Sequence, residues 1–103
     1  MNAAPNIAAT LAKRGNRYGD FSEHARITQT LKSAMADSQN WRSLMPDQRE
    51  ALEMIQHKVG RILNGDPNYE DNVIDIIGYA TLMLRAMQER NRNASQAQNT
   101  EVE

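Results

Sequence analysis

The sequence predicts an all-α protein: a small bundle of three main helices, a short N-terminal helix and a disordered C-terminal tail. Three observations predict it. The apolar content comes from Ala, Leu, Ile and six Met, with aromatics limited to Tyr18, Phe21, Trp41, Tyr69 and Tyr79, a composition of packed helices rather than strands. Apolar residues recur at helical spacing in separate stretches, and turn-forming residues cluster between them. With 103 residues and no internal repeat, the chain reads as one domain over residues 1–90 with its core at 21–90, followed by a tail at 91–103.

Bulk charge and composition narrow the function classes. A net charge of −1 and a pI near 6.1 argue against an extended nucleic-acid surface or an anionic membrane as partner. The absence of cysteine removes disulfides and thiolate metal sites. No apolar run approaches the roughly 20 residues of a membrane span, and "MNAAPNIAATLAKRG" lacks a signal-peptide layout. The expectation is a soluble, intracellular protein. A chain this short buries a modest share of its surface, so a homo-oligomer is expected too.

The elements follow in order. Residues 6–13, "NIAATLAK", predict a short helix closed by Gly15, with Lys13 and Arg14 at its C-terminal end. "GNRYGDF" reads as a shaped loop. Asp20 then caps a helix over Phe21 to about Ala36, with Glu23 completing a capping box. Its apolar stripe is Phe21, Ile27, Leu31, Ala34 and Met35, and His24 falls within it. After a polar connection anchored by Trp41, Pro46 opens a helix over about 47–63. One arc of that helix is apolar, and Glu50, Glu53, His57, Arg61 and Asn64 make the polar arc opposite. Lys58 sits at the edge of the apolar side. "NGDPNYE" is a turn, and the last helix, about 70–90, is apolar over more than half its circumference, which predicts the most buried element. Gly78 inside it implies a close neighbour, because an interior glycine costs about 1 kcal/mol against alanine. From Asn91 the chain is polar and aperiodic, hence the disordered tail.

Two acidic pairs carry the candidate chemistry. Glu50 and Glu53 form an E-x-x-E, and Asp71 and Asp75 a D-x-x-x-D; each pair shares one helix face. On antiparallel helices the four could point into one cleft and hold Mg²⁺, a hard cation that takes oxygen ligands. The competing reading is architectural: Lys58 and Arg61 clamp Asp71 and Asp75, because a lysine beside an apolar stripe needs a counter-charge. This clamp is the reading preferred on sequence, with ordinary solvation the third alternative. Lys13, Arg14 and Arg17, a basic cluster flanking a glycine loop with Tyr18, suit a phosphate or nucleotide, with Lys58 and Arg61 as further cations; the alternative is a plain loop with a C-capping charge. His24 on an apolar stripe is more often a core residue than a ligand, and stays a possible functional group through its pKa range. His57, on the polar arc, is read as solvated.

Residues 17–35, "RYGDFSEHARITQTLKSAM", and 48–82, "QREALEMIQHKVGRILNGDPNYEDNVIDIIGYATL", together resemble a small family of phage and prophage proteins over about half the chain. Tyr18, Gly19, Asp20, Phe21 and His24 carry the first block; Lys58, Arg61, Asp71, Asp75, Gly78 and Tyr79 carry the second. The second block is also similar to a phage domain associated with nucleotide modification. More distantly it is similar to the MazG-like all-α nucleoside triphosphate pyrophosphohydrolases. In the latter, an E-x-x-E on one helix and an E-x-x-D on the next bind Mg²⁺, which positions the triphosphate and activates water. Carried across, Glu50 and Glu53 match the first motif and Asp75 the final acid. Asn72 stands where the motif has glutamate, which weakens Mg²⁺ binding, and Asp71 occupies the adjoining position. The resemblance implies a phage accessory protein in the bacterial host cytoplasm, handling a nucleoside triphosphate with Mg²⁺, whether as an enzyme or a binder. The alternative is a non-enzymatic phage protein that binds and inhibits or redirects a host protein, such as one of a defence system. Its motivation is the small size and the Met-rich last helix, since methionine faces adapt to partners.

Overall fold

The computed structural model describes residues 6–102, with side chains as far as residue 97. Residues 1–5 of the expected domain and residue 103 of the expected tail lie outside that range. Four α-helices and one 3₁₀ turn make up the fold, and no strand occurs among the described residues.

Helix α1 spans Ile7–Tyr18, and Asn6 caps it by accepting from the Ala9 N–H at 3.0 Å. It passes straight through Gly15, the residue expected to close it. The true stop is Gly19, whose φ of 80° lies where side-chain-bearing residues are strained. Most of the expected loop is therefore helix. Helix α2, Phe21–Ala36, begins where the sequence places it, with the Asp20 carboxylate accepting from the Glu23 N–H at 3.1 Å. The capping box is only half made. The Glu23 carboxylate turns to Arg26, at 2.7 and 2.8 Å, instead of reaching back to the cap.

A 3₁₀ turn at Trp41–Ser43 leads into α3, Pro46–Asn64. Pro46 lacks an N–H and so suits the first turn, while the Gln48 side chain accepts from the Met45 N–H at 2.9 Å. Helix α4 spans Glu70–Val102, well past the expected end at Arg90. Residues 91–102 contain neither glycine nor proline, so nothing in the sequence stops the helix; residues 91–97 are exposed. The expected disordered tail is thus helical as far as Val102.

The helices α2, α3 and α4 run antiparallel in series, and α1 crosses the end where α2 starts and α3 stops. Helix α3 is the central element, in contact with each of the other three. Gly60 lets α2 come close: a Cβ there would lie 2.6 Å from Thr28 Cγ2. At the other end of the α3–α4 pair, Arg90 closes on Asp47 at 2.7 Å. Among the described residues the one buried apolar residue is Ala51; His24, Thr28, Gln56, Lys58 and Asn72 are buried polar ones. Helix α4 is not the most buried element, contrary to expectation. One side of it packs on α3, whereas Val73, Ile74, Ile77, Leu82 and Leu84 remain 49–60% exposed. Gly78 has no neighbour, since nothing lies within 4 Å of a Cβ placed there. No helix among the described residues is long and apolar enough to cross a membrane.

Candidate functional site

The expected clamp forms in half. The Lys58 ammonium, with its side chain only 10% exposed, lies 3.0 Å from the Asp75 carboxylate. Burial forces that pairing, because an unpaired ammonium under the α3–α4 seam would lose its hydration with nothing in return. Asp71 and Arg61 take other partners. Asp71 accepts from the Tyr69 hydroxyl at 2.9 Å, and that hydroxyl accepts from Arg17 at 2.8 Å. The hydrogen bond to Asp71, then burial, pushes the Tyr69 pKa up against the Arg17 charge, which lowers it. Arg61 lies over the Tyr18 ring, 4.0 Å from its centroid.

The four expected metal ligands do not assemble. Asp75 is engaged by Lys58 and Asp71 by Tyr69, while Glu50 is exposed and Glu53 half-buried. Among the described residues, no three His, Asp or Glu side chains gather closely enough to hold a metal ion. Asn72, where the motif has glutamate, is 1% exposed and its amide nitrogen has no hydrogen-bond partner. A buried neutral amide is a poor Mg²⁺ ligand. The residues as arranged do not fit a Mg²⁺ cage.

What the fold does assemble is a basic, aromatic cavity of about 330 Å³ at the α1–α2–α3 junction, lined by Arg14, Tyr18, Phe21, His24, His57 and Arg61. Its walls are fastened through the backbone. The Asn64 amide donates to the Tyr18 and Asp20 carbonyls at 3.0 and 2.9 Å, and the Asp66 N–H donates to the Arg17 carbonyl at 2.6 Å. Gly19 and Gly65 make this crossing possible, since a Cβ on either would collide with the other loop's backbone.

The cavity carries more cations than anions, two arginines to one aspartate. Arg14 lies 5.4 Å from the Tyr18 centroid and Arg17 4.6 Å from that of Tyr69, while the two tyrosines meet edge-on at 6.2 Å. None of Arg14, Arg17 and Arg61 forms an ion pair among the described residues. Two guanidiniums, Arg14 and Arg61, thus line one cavity with a single carboxylate, Asp20, which accepts from the Glu23 N–H at the start of α2 and forms no ion pair with either. His24 and His57 pack edge-to-face at 4.8 Å on its inner wall. Burial first, then the Arg61 charge, lowers the His24 pKa. The same two causes, with His24, Lys58 and Lys32 behind them, push His57 down to about 4. Both rings are neutral at pH 7.

Of the expected phosphate group, then, Arg17, Tyr18 and Arg61 come together, whereas Lys58 is neutralised by Asp75. Sequence reasoning missed His57 and Phe21 as site residues, and placed Arg14 with Lys13 and Arg17 in the basic cluster suited to a phosphate. The signal for His57 was its position one turn before Arg61 on α3, opposite Gly60's close approach to His24.

A family model for a domain of unknown function, DUF6378, matches residues 2–87. The chain belongs to this family. The DUF6378 match takes in the cavity, the Lys58–Asp75 pair and α4 as far as Met87, and leaves the last part of α4 outside it. No curated protein and no solved structure matches the chain.

Proposed function

We propose that this DUF6378 protein binds a nucleotide in the cavity at the α1–α2–α3 junction, as a phage accessory protein. The observation behind the reading is the pair of unneutralised guanidiniums, Arg14 and Arg61, on one aromatic-walled cavity. Phosphate oxygens take the arginines, which offer fixed donor forks and a charge that the one lining carboxylate, Asp20, does not pair with, being held by the Glu23 N–H. The base stacks on Phe21, which is 79% exposed at the rim, because Tyr18 already carries Arg61 on its ring. The volume is at the small end of the 300–1,000 Å³ typical of ligand pockets, roughly the size for a phosphate and part of a nucleoside.

The test is a panel of nucleoside mono-, di- and triphosphates, each with and without Mg²⁺, followed by thermal shift and by pyrophosphate release. Binding to the folded chain raises the midpoint by linkage. Arg61→Ala is expected to weaken that binding at least tenfold, the share of about one charged hydrogen-bonded contact. Pyrophosphate release would make the protein an enzyme rather than a binder. Silence across the panel removes the nucleotide reading and leaves the second: a protein that captures a host protein. That reading draws on Leu11 and Phe21, 62% and 79% exposed apolar residues on the same rim.

A further inference from the structure

Helix α4 carries two apolar seams, and the chain covers one. Asn72, Ile76, Tyr79, Met83 and Arg90 are buried or half-buried on the side toward α3. One residue on, Val73, Ile77, Ala80, Leu84 and Met87 follow a 4-3-4-3 spacing, which on a helix keeps them in one stripe about 100° from the first. Val73, Ile77 and Leu84 are 49%, 60% and 52% exposed, Ala80 is exposed, and Ile74 flanks them at 57%. A helix with two such stripes belongs inside a multi-helix bundle, and this chain supplies a single neighbour.

We infer that the second stripe is the interface with another copy of this chain, related by a two-fold axis passing close to Ala80. Length argues for a stable contact: the stripe runs from Val73 to Met87, about 21 Å of helix. The interior argues for the identity of the partner. With Ala51 as the one buried apolar residue among those described, the monomer lacks the core that folding requires before any foreign protein is met. A second copy is present wherever the first is made. The stripe is self-complementary, as a two-fold contact demands: its centre is the small Ala80, with Ile77 and Leu84 on either side and no charged residue in it. This interface stands apart from the nucleotide reading, whose cavity lies on other elements.

Analytical ultracentrifugation is expected to give twice the 11.6 kDa chain mass at micromolar concentration, and Ile77→Glu to give a monomer. A monomeric wild type would overturn the assignment. Should Ile77→Glu fail to fold, a second experiment decides. The chain has no cysteine, so Ala80→Cys carries a lone thiol, expected to form a covalent dimer under mild oxidation. Glu89→Cys, on the far side of the helix, is expected to stay monomeric on a non-reducing gel. Equal cross-linking of the two would sink the two-fold axis at Ala80. Val73→Cys, which an antiparallel crossing at Ala80 sets opposite Met87, is expected not to self-link, and self-linkage would overturn that crossing.

Discussion

Two side chains in the α3 helix respond to substitution in opposite ways because one is charged and the other is kept neutral. Lys58 is a buried ammonium whose partner, Asp75, is 47% exposed. Asp75→Asn leaves the charge in place with its counter-charge gone, and is expected to cost about 1–3 kcal/mol, below the 3–5 of a wholly buried pair because water reaches the carboxylate. Lys58→Met removes the charge with the need for it, so its loss in urea unfolding should be the smaller of the two. The reverse order would mean that Lys58 is hydrated. His57 is neutral in the folded state down to about pH 4, while in the unfolded chain it takes up a proton near 6.5. Above that pH neither state is charged and the ring contributes no pH dependence. As pH falls from about 6.5 to 4, the unfolded state binds a proton that the folded state refuses, so stability falls through that window. His24, also lowered, adds in the same direction. His57→Gln is therefore expected to flatten the fall in melting temperature between pH 6.5 and 4. Identical acid profiles for the two proteins would acquit His57. Polyphosphate in the cavity should flatten it likewise, by making protonation of the rings less unfavourable.

The glycines separate what the elements require from what they merely tolerate. Gly60 sits where α2 crosses α3, with Thr28 Cγ2 2.6 Å from any added Cβ and the His24 ring behind it. Gly60→Ala should destabilise by about 1–3 kcal/mol, the usual cost of overpacking. Gly78 faces open space in a helix interior, so Gly78→Ala should stabilise by up to about 1 kcal/mol through helix propensity. Chemical denaturation of the two single variants measures both signs, and the same sign for both would refute the packing account. The pair also shows how far a sequence can be read. Helix α2 was legible to the residue because its start is a local matter: Asp20 caps its own helix, whatever packs nearby. Gly15, Gly78 and the α4 end were misread because composition reports propensity and not neighbours. An interior glycine invites a contact, and for Gly78 none came. Of the site, Arg17, Tyr18 and Arg61 were legible as a basic, aromatic group. The Lys58–Asp75 pair was legible as a need for counter-charge. His57 was not, because its environment is made by α2, a helix more than twenty residues away in sequence.

At the scale of the whole molecule, the radius of gyration is 19.1 Å, against about 13 Å for a compact chain of this length. Part of the excess is the free end of α4, twelve residues past Arg90 and so about 18 Å of single helix. The bundle is also thin: among the described residues Ala51 is the one buried apolar residue. Such a chain should not have a melting temperature of its own. If the α4 stripes of two copies meet only when folded, dissociation and unfolding are one equilibrium, and the midpoint must rise with protein concentration. A tenfold increase shifts that equilibrium by about 1.4 kcal/mol per dimer, which for a chain of this size is on the order of a few degrees. Leu84→Glu, on the stripe and 52% exposed in the single chain, should remove the dependence and lower the midpoint together. The nucleotide cavity is built from α1, α2 and α3 of one chain, so its stabilisation should add to that of the dimer and survive in whatever fraction of the variant still folds. A midpoint that ignores concentration, with nucleotide stabilisation intact, would leave the site standing and remove the dimer. Loss of nucleotide stabilisation in a folded Leu84→Glu chain would mean instead that the cavity depends on the second copy to hold its shape.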